Sequence, residues 1–135
     1  MERVIKFRGQ RVDNKEWVYG YYAVDLNGVS WIFNTKTLSK PFLPTKVADN
    51  HEVIPETVGQ FTGLTDKNRV EIYEDDALSY KRQGREMFDL VEFDKGAFYC
   101  GLHNGSSTRK KIKLIQANTV RVIGNIHDDP DVIAI

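Results

Sequence analysis

Apolar and polar residues alternate with a period of two along much of this chain. Glu16 to Asp25 (EWVYGYYAVD) places Trp17, Tyr19 and Tyr21 on one face of a strand and Val18, Tyr22 and Val24 on the other. Aromatic and β-branched side chains of this kind suit a pleated surface. The Asn27-Gly28 pair that follows supplies the two positive-φ positions of a type I′ turn, which predicts a hairpin back into Val29–Phe33. Residues 34–50 contain Pro41 and Pro44, lack a clear period, and read as a long loop with an edge strand or a helical turn. Pro55 removes a ladder donor, so His51–Ile54 is predicted as a short edge strand. Gly59, Gly63 and Gly124 mark bends.

The second half continues in the same way. Asp66-Lys67-Asn68-Arg69 reads as a turn with a positive φ at Asn68 or Arg69. Strands are predicted at Arg69–Tyr73, Ala77–Lys81 and Met87–Phe93, with Gln83-Gly84-Arg85 between the last two. Asp94-Lys95-Gly96 turns the chain into Ala97–Leu102. His103 to Lys111 is a polar loop, and Ile112–Ile115 and Thr119–Ile123 complete the strands. No 11-residue window has a period of 3.6, and helix is confined to a turn or two near Thr45–Asn50 and Leu114–Asn118. Short strands at regular spacing predict an all-β barrel or sandwich.

Composition narrows the function classes. Of 135 residues, 41% are hydrophobic and 28% charged, as in an ordinary soluble globular chain. Nineteen Lys and Arg balance nineteen Asp and Glu, which excludes a whole-molecule electrostatic affinity for nucleic acid or anionic lipid. A single cysteine, Cys100, excludes an intramolecular disulfide and a zinc site of several thiolates. Charges interrupt the first seven residues, and no run approaches the roughly 18 apolar residues of a membrane span. The expected setting is the cytoplasm, with no membrane association.

Candidate chemistry is sparse. Glu74-Asp75-Asp76, with Asp66 nearby, offers oxygens to a hard cation but lacks calcium-loop spacing, and turn chemistry accounts for it. Cys100 and His103 stand three apart, which on a strand points them to opposite faces, and Cys100 lies in an apolar run. His51, His103 and His127 share no metal-ligand spacing. There is no nucleophile elbow, phosphate loop or dinucleotide fingerprint, so no enzyme, catalytic residue, cofactor or metal is expected.

The one basic run is Arg109, Lys110, Lys111 and Lys113. It would form a nucleic-acid-binding patch with Lys81, Arg82 and Arg85 if the two loops share one barrel end, with Trp17, Tyr19, Tyr21 and Trp31 stacking bases. Otherwise it is a solvated loop and the aromatics fill the core. Trp17, Tyr19 and Tyr21 are alternatively a self-association patch, an idea that the apolar Val132–Ile135 end supports.

The segment Glu52 to Ala77, EVIPETVGQFTGLTDKNRVEIYEDDA, is less generic. It resembles the central signature of the YopX family of phage and prophage proteins, P-x-T-V-G-Q-[FY]-T-G-L-x-D-K-N-G-x-x-I-Y-E-G-D. Val4–Arg8 resembles the family's N-terminal I-K-F-R, and Val122–Pro130 its C-terminal V-I-G-N-I-[YH]-x-x-P. Arg69 and Asp75 each replace a family glycine, where a positive φ is expected. The resemblance implies an all-β fold with an SH3-like barrel part, in a temperate-phage setting, and implies no mechanism. The expected organisation is a β-meander over residues 1–55 and an SH3-like barrel half over 56–135, sharing one core. Val58, Phe61, Leu64, Ile72, Tyr73, Leu78, Leu90, Val91, Phe93, Phe98, Val120, Val122 and Ile126 fill the barrel. The expected function is a non-catalytic protein-binding or adaptor domain that self-associates, with a phage or host protein as partner. The alternative is a nucleic-acid-binding module using the basic loop at 109–113.

Overall fold

The computed structural model describes residues 4–34, 38–39, 43–44, 50–102, 110–111 and 119–133. They form an all-β chain, with strands β1 (Phe7–Gln10), β2 (Trp17–Val24), β3 (Ser30–Asn34), β4 (Leu38–Ser39), β5 (Leu43–Pro44), β6 (Asn50–Glu52) and β7 (Gly59–Thr65). These are followed by β8 (Glu71–Tyr73), β9 (Asp76–Arg82), β10 (Arg85–Asp94), β11 (Ala97–Leu102), β12 (Lys110–Lys111) and β13 (Arg121–Asn125). Two compact units divide between Phe61 and Thr62, inside β7. The predicted helical turns near 45–50 and 114–118, and the strand at 112–115, lie outside the described residues, except that Asn50 is described and opens β6.

In the first unit the strand order is β6-β3-β2-β1-β7. The predicted hairpin forms, pairing Val24 with Ser30 and Gly20 with Asn34. Its turn is not type I′, because only Gly28 has a positive φ, of 81°. The Asp25 N–H donates to the Val29 carbonyl at 2.9 Å and the Gly28 N–H to the Asp25 carbonyl at 3.0 Å, giving a three-residue loop. The Asp25 carboxylate decides this: its Oδ1 accepts the Asn27 and Val29 N–H groups at 2.8 and 3.0 Å. Gly20 is required by close approach, since a Cβ there would lie 1.8 Å from the Phe33 carbonyl oxygen.

β1 was not foreseen. It joins β2 to β7 in the middle of the order, yet two of its four residues are the buried Arg8 and Gln10. Gln10 donates its backbone N–H to Thr57 Oγ1 at 2.9 Å, and that hydroxyl donates to the Ile54 carbonyl at 2.6 Å. Pro55 ends the edge region as predicted, opening a 3₁₀ turn at Pro55–Thr57 after β6.

The second unit is built on the antiparallel order β12-β11-β10-β9-β13. The β9–β10 and β10–β11 hairpins use type I′ turns, at Gln83-Gly84 (φ 53° and 78°) and Lys95-Gly96 (49° and 84°). Ile72, Leu78, Val91, Cys100 and Val120 form the core, covered by Leu64, Tyr80, Phe98 and Val122. Phe93, expected inside, is 49% exposed at the strand end and meets Phe98 edge-on at 5.1 Å. β12 and β13 end the order, so the described pairings leave the sheet open and include no barrel closure. In the apolar end that was expected to need cover from a sheet edge or a partner, Val132 is half-buried and lies against Gly124.

The Asp25 loop occurs a second time. In Asp66-Lys67-Asn68-Arg69-Val70, Asp66 Oδ1 accepts the Asn68 and Val70 N–H groups at 2.8 and 2.9 Å. The Asp66 N–H donates to the Val70 carbonyl at 2.8 Å. Arg69 holds φ 65° where the first loop has Gly28, and Asp75 holds φ 69°, so both expected positive-φ positions are found.

Candidate binding surfaces

Two surfaces stand out, one in each unit. In the first, antiparallel pairing sets side chains of directly opposed residues on the same face. Tyr19 faces Arg8, Trp17 faces Gln10, Tyr21 faces Phe33 and Ala23 faces Trp31. One sheet face therefore displays Trp17, Tyr19, Tyr21, Trp31 and Phe33. Tyr19 and Tyr21 are 46% and 47% exposed, so they are not core residues. The Arg8 guanidinium sits 4.6 Å from the Trp17 ring centroid, which anchors that ring by a cation–π contact. Trp31 donates its indole N–H to Asp25 Oδ2 at 3.0 Å. This bond, with the Val29 and Asn27 N–H groups, holds the Asp25 carboxyl below its ordinary value. The opposite face carries the fully buried Ile32 and the buried Ser30, with Phe7 and Tyr22 in ring contact at 5.5 Å.

In the second unit, a cleft of about 400 Å³ opens beside β9. Ser79, Tyr80 and Lys81 of β9 line it, with Glu86 of β10 and Lys67 of the Asp66 loop. Thr119 and Arg121, leading into β13, complete it. Register explains the assembly: Lys81 pairs with Glu86 and Arg121 with Ser79, so these four share one face. Asp66 Oδ2 accepts the Val122 N–H at 2.9 Å and Lys67 donates its backbone N–H to the Val120 carbonyl at 3.0 Å, which brings the loop to the same place. The Ser79 hydroxyl donates to Glu86 Oε1 at 3.0 Å, and Arg121 approaches the same oxygen at 3.8 Å.

Of the sequence-predicted site, Arg109 and Lys113 lie outside the described residues, and only the backbone of Lys110–Lys111 lies within them. That backbone pairs with Cys100 and Tyr99. Cys100 is opposite Val91, six residues along β10 from Arg85. At about 3.3 Å per residue, that is about 20 Å from the β9–β10 turn that carries Arg82 and Arg85. Sequence reading flagged Lys81 but missed Lys67, Ser79, Glu86 and Arg121, which are scattered and follow no local pattern.

The remaining candidates serve structure. Asp76 is buried and accepts the Tyr73 N–H at 2.7 Å. Asp75 Oδ2 meets His127 Nε2 at 2.8 Å, joining the turn after β8 to the C-terminal segment. Cys100 is 1% exposed, and burial, with the Asp89 carboxylate, pushes its thiol up to about 12. His103 lies outside the described residues. Among the described residues no group of three His, Cys, Asp or Glu is placed to hold a metal ion, and no helix is long and apolar enough to cross a membrane.

The fold defined by these sheets is that of an all-β protein with no α-helix among its described residues. The sequence model of the family described as YopX protein matches residues 6–134, and the chain belongs to that family. The crystal structure of protein EF1440 from Enterococcus faecalis is similar, with a TM-score of 0.53 and 22% identity over 98% of this chain and 99% of that one. That likeness concerns the fold. No curated protein matches the chain.

Proposed function

We propose that this YopX protein is a non-catalytic protein-binding domain that self-associates through the aromatic face of its first unit, acting in the cytoplasm of a phage-bearing host. The observation that carries the reading is the pair Tyr19 and Tyr21, each nearly half exposed beside Trp17 on β2. Tyrosine and tryptophan give large contact area with few torsions to immobilise, which is why they concentrate in interfaces. Solvent contact at two such rings is costly to leave and is relieved when a second copy covers them. Val24, Leu26 and Val12 are also exposed in this unit and widen its apolar surface. The buried, protonated thiol of Cys100 supports a non-catalytic reading, since it is the chain's one thiol nucleophile.

The experiment is sedimentation velocity across a hundredfold concentration range, on the wild type and on Tyr19→Ser/Tyr21→Ser. The wild type is expected to shift from monomer to a larger species, and the variant to stay monomeric with an unchanged circular-dichroism spectrum. A wild type that remains monomeric throughout, or a variant that associates equally well, overturns the reading. The alternative, nucleic-acid binding through Arg109, Lys110, Lys111 and Lys113, gains no support from the register, which sets Lys110–Lys111 far along the sheet from Arg85.

A further inference from the structure

We propose that the cleft beside β9 in the second unit binds a phosphate group, carried on a mononucleotide or on a single-stranded nucleic-acid backbone. Three cations, Lys67, Lys81 and Arg121, line it against one carboxylate, Glu86. Neither lysine makes an ion pair among the described residues, so two of the three positive charges stand uncompensated at one concavity. A net charge of about +2 in a concave site attracts and retains a dianion in preference to a monoanionic carboxylate. Its volume, about 400 Å³, falls within the range of sites that hold a small organic ligand and exceeds what a bare phosphate fills.

Glu86 indicates where an oxyanion sits. Its Oε1 accepts a hydrogen bond from the hydroxyl of Ser79, which is 5% exposed, and stands 3.8 Å from the Arg121 guanidinium. That separation is long for a charge-assisted pair, so Arg121 is loosely held and its fork of donors remains available. Both Glu86 and Arg121 side chains are 49% exposed, and each can swing on its stem. An incoming phosphate takes the place of the Glu86 carboxylate between Ser79 and Arg121, with Lys67 and Lys81 reaching its remaining oxygens. Glu86 thereby acts as a built-in competitor, and its removal strengthens binding. A merely solvated charge cluster has no such property.

The test is a ¹H–¹⁵N titration of the full chain at low salt with three probes: inorganic phosphate, a nucleoside monophosphate and a short single-stranded oligonucleotide. Saturable shifts are expected at Ser79, Lys81, Glu86 and Arg121 with at least one nucleotide probe, and the stronger of the two names the source. Loss of one charge contact at this exposure weakens binding about fivefold in Arg121→Gln and Lys81→Gln, and Glu86→Gln tightens it about threefold. Lys81 is exposed on the strand, so its variant keeps the test valid if Arg121→Gln fails to fold. No saturable shift with either nucleotide probe, shifts confined to other residues, or a Glu86→Gln variant that binds no more tightly overturns the proposal. The aromatic face of the first unit is not involved, so a monomeric wild type leaves this result unaffected.

Discussion

Asp66 offers the sharpest test of how this chain is held together. It is 4% exposed, and its two carboxylate oxygens accept three backbone N–H groups. Two belong to its own loop, at Asn68 and Val70; the third, at Val122, is 56 residues away. Asp66→Asn keeps the amide oxygen for the loop and turns the NH₂ toward Val122, so that donor faces donor. The lost charge-assisted bond at a half-buried strand is worth about 2 kcal/mol. Asp66→Ala also frees the two loop N–H groups, but Asn68 and Val70 are exposed and water replaces most of that bonding. Its total is about 3–4 kcal/mol, a large share of a marginal domain's stability. Asp25→Asn is the internal control, because it has the same loop, while its second oxygen meets only the indole of Trp31 at the surface. Urea unfolding followed by far-ultraviolet circular dichroism reads the difference; both tryptophans, Trp17 and Trp31, lie in the first unit and would report on it alone. If Asp25→Asn destabilises as much as Asp66→Asn, the reasoning from burial and the long-range bond is refuted.

Three further outcomes are expected. Arg69→Gly relieves a left-handed conformation that costs a side chain about 1–2 kcal/mol, offset by glycine's greater chain entropy of about 0.5–1 kcal/mol, so the melting temperature rises by a few degrees; a fall would contradict this. Asp75→Ala keeps the strained positive φ and loses the His127 contact, at a cost of about 1–2 kcal/mol, whereas Asp75→Gly loses the same contact but relieves the strain and costs less than half as much, as thermal melts will show. The Cys100 thiol, raised from 9.0 to about 12 by burial and Asp89, stays protonated in the fold while the unfolded chain ionises. The thiol's contribution to stability is therefore complete below pH 9 and is lost as the pH rises from 9 to 12, by roughly 1 kcal/mol per pH unit. Cys100→Val is expected to flatten that decline in parallel urea melts, and wild-type Cys100 is expected to resist a thiol reagent at pH 8 until denaturant is added.

Strands with a clear period of two were legible from the sequence alone: β2, β3, β9, β10 and β11 are found within a residue or two of their expected bounds. Turn residues were legible in kind, and less so in type. Asn27-Gly28 has the I′ dipeptide, yet the carboxylate of Asp25 pulls the turn into a longer loop, while Gln83-Gly84 and Lys95-Gly96 adopt the I′ form. β1 escaped notice because Arg8 and Gln10 are polar and buried, which inverts the expected pattern for a strand with neighbours on both sides. The two replaced glycines announced themselves, since Arg69 and Asp75 both carry positive φ. The aromatic stripe of β2 was visible, but whether it faced solvent or core was decided only by tertiary structure. The cleft was invisible, because Lys67, Lys81, Glu86 and Arg121 meet through one pairing of β13 with β9 and one carboxylate that spans 56 residues.

The ladder from β9 through β11 is a run of neighbours in sequence, closed by two tight hairpins, whereas β13 reaches β9 from beyond residue 118. Local hairpins zip within microseconds, and a distant strand must wait for its loop to close. The Asp66–Val122 clasp should thus fasten last, once the meander already exists. Weakening it accelerates the escape from the native state and leaves the rate of arrival nearly untouched, so the lifetime of the fold, more than its speed of formation, is written into that single aspartate.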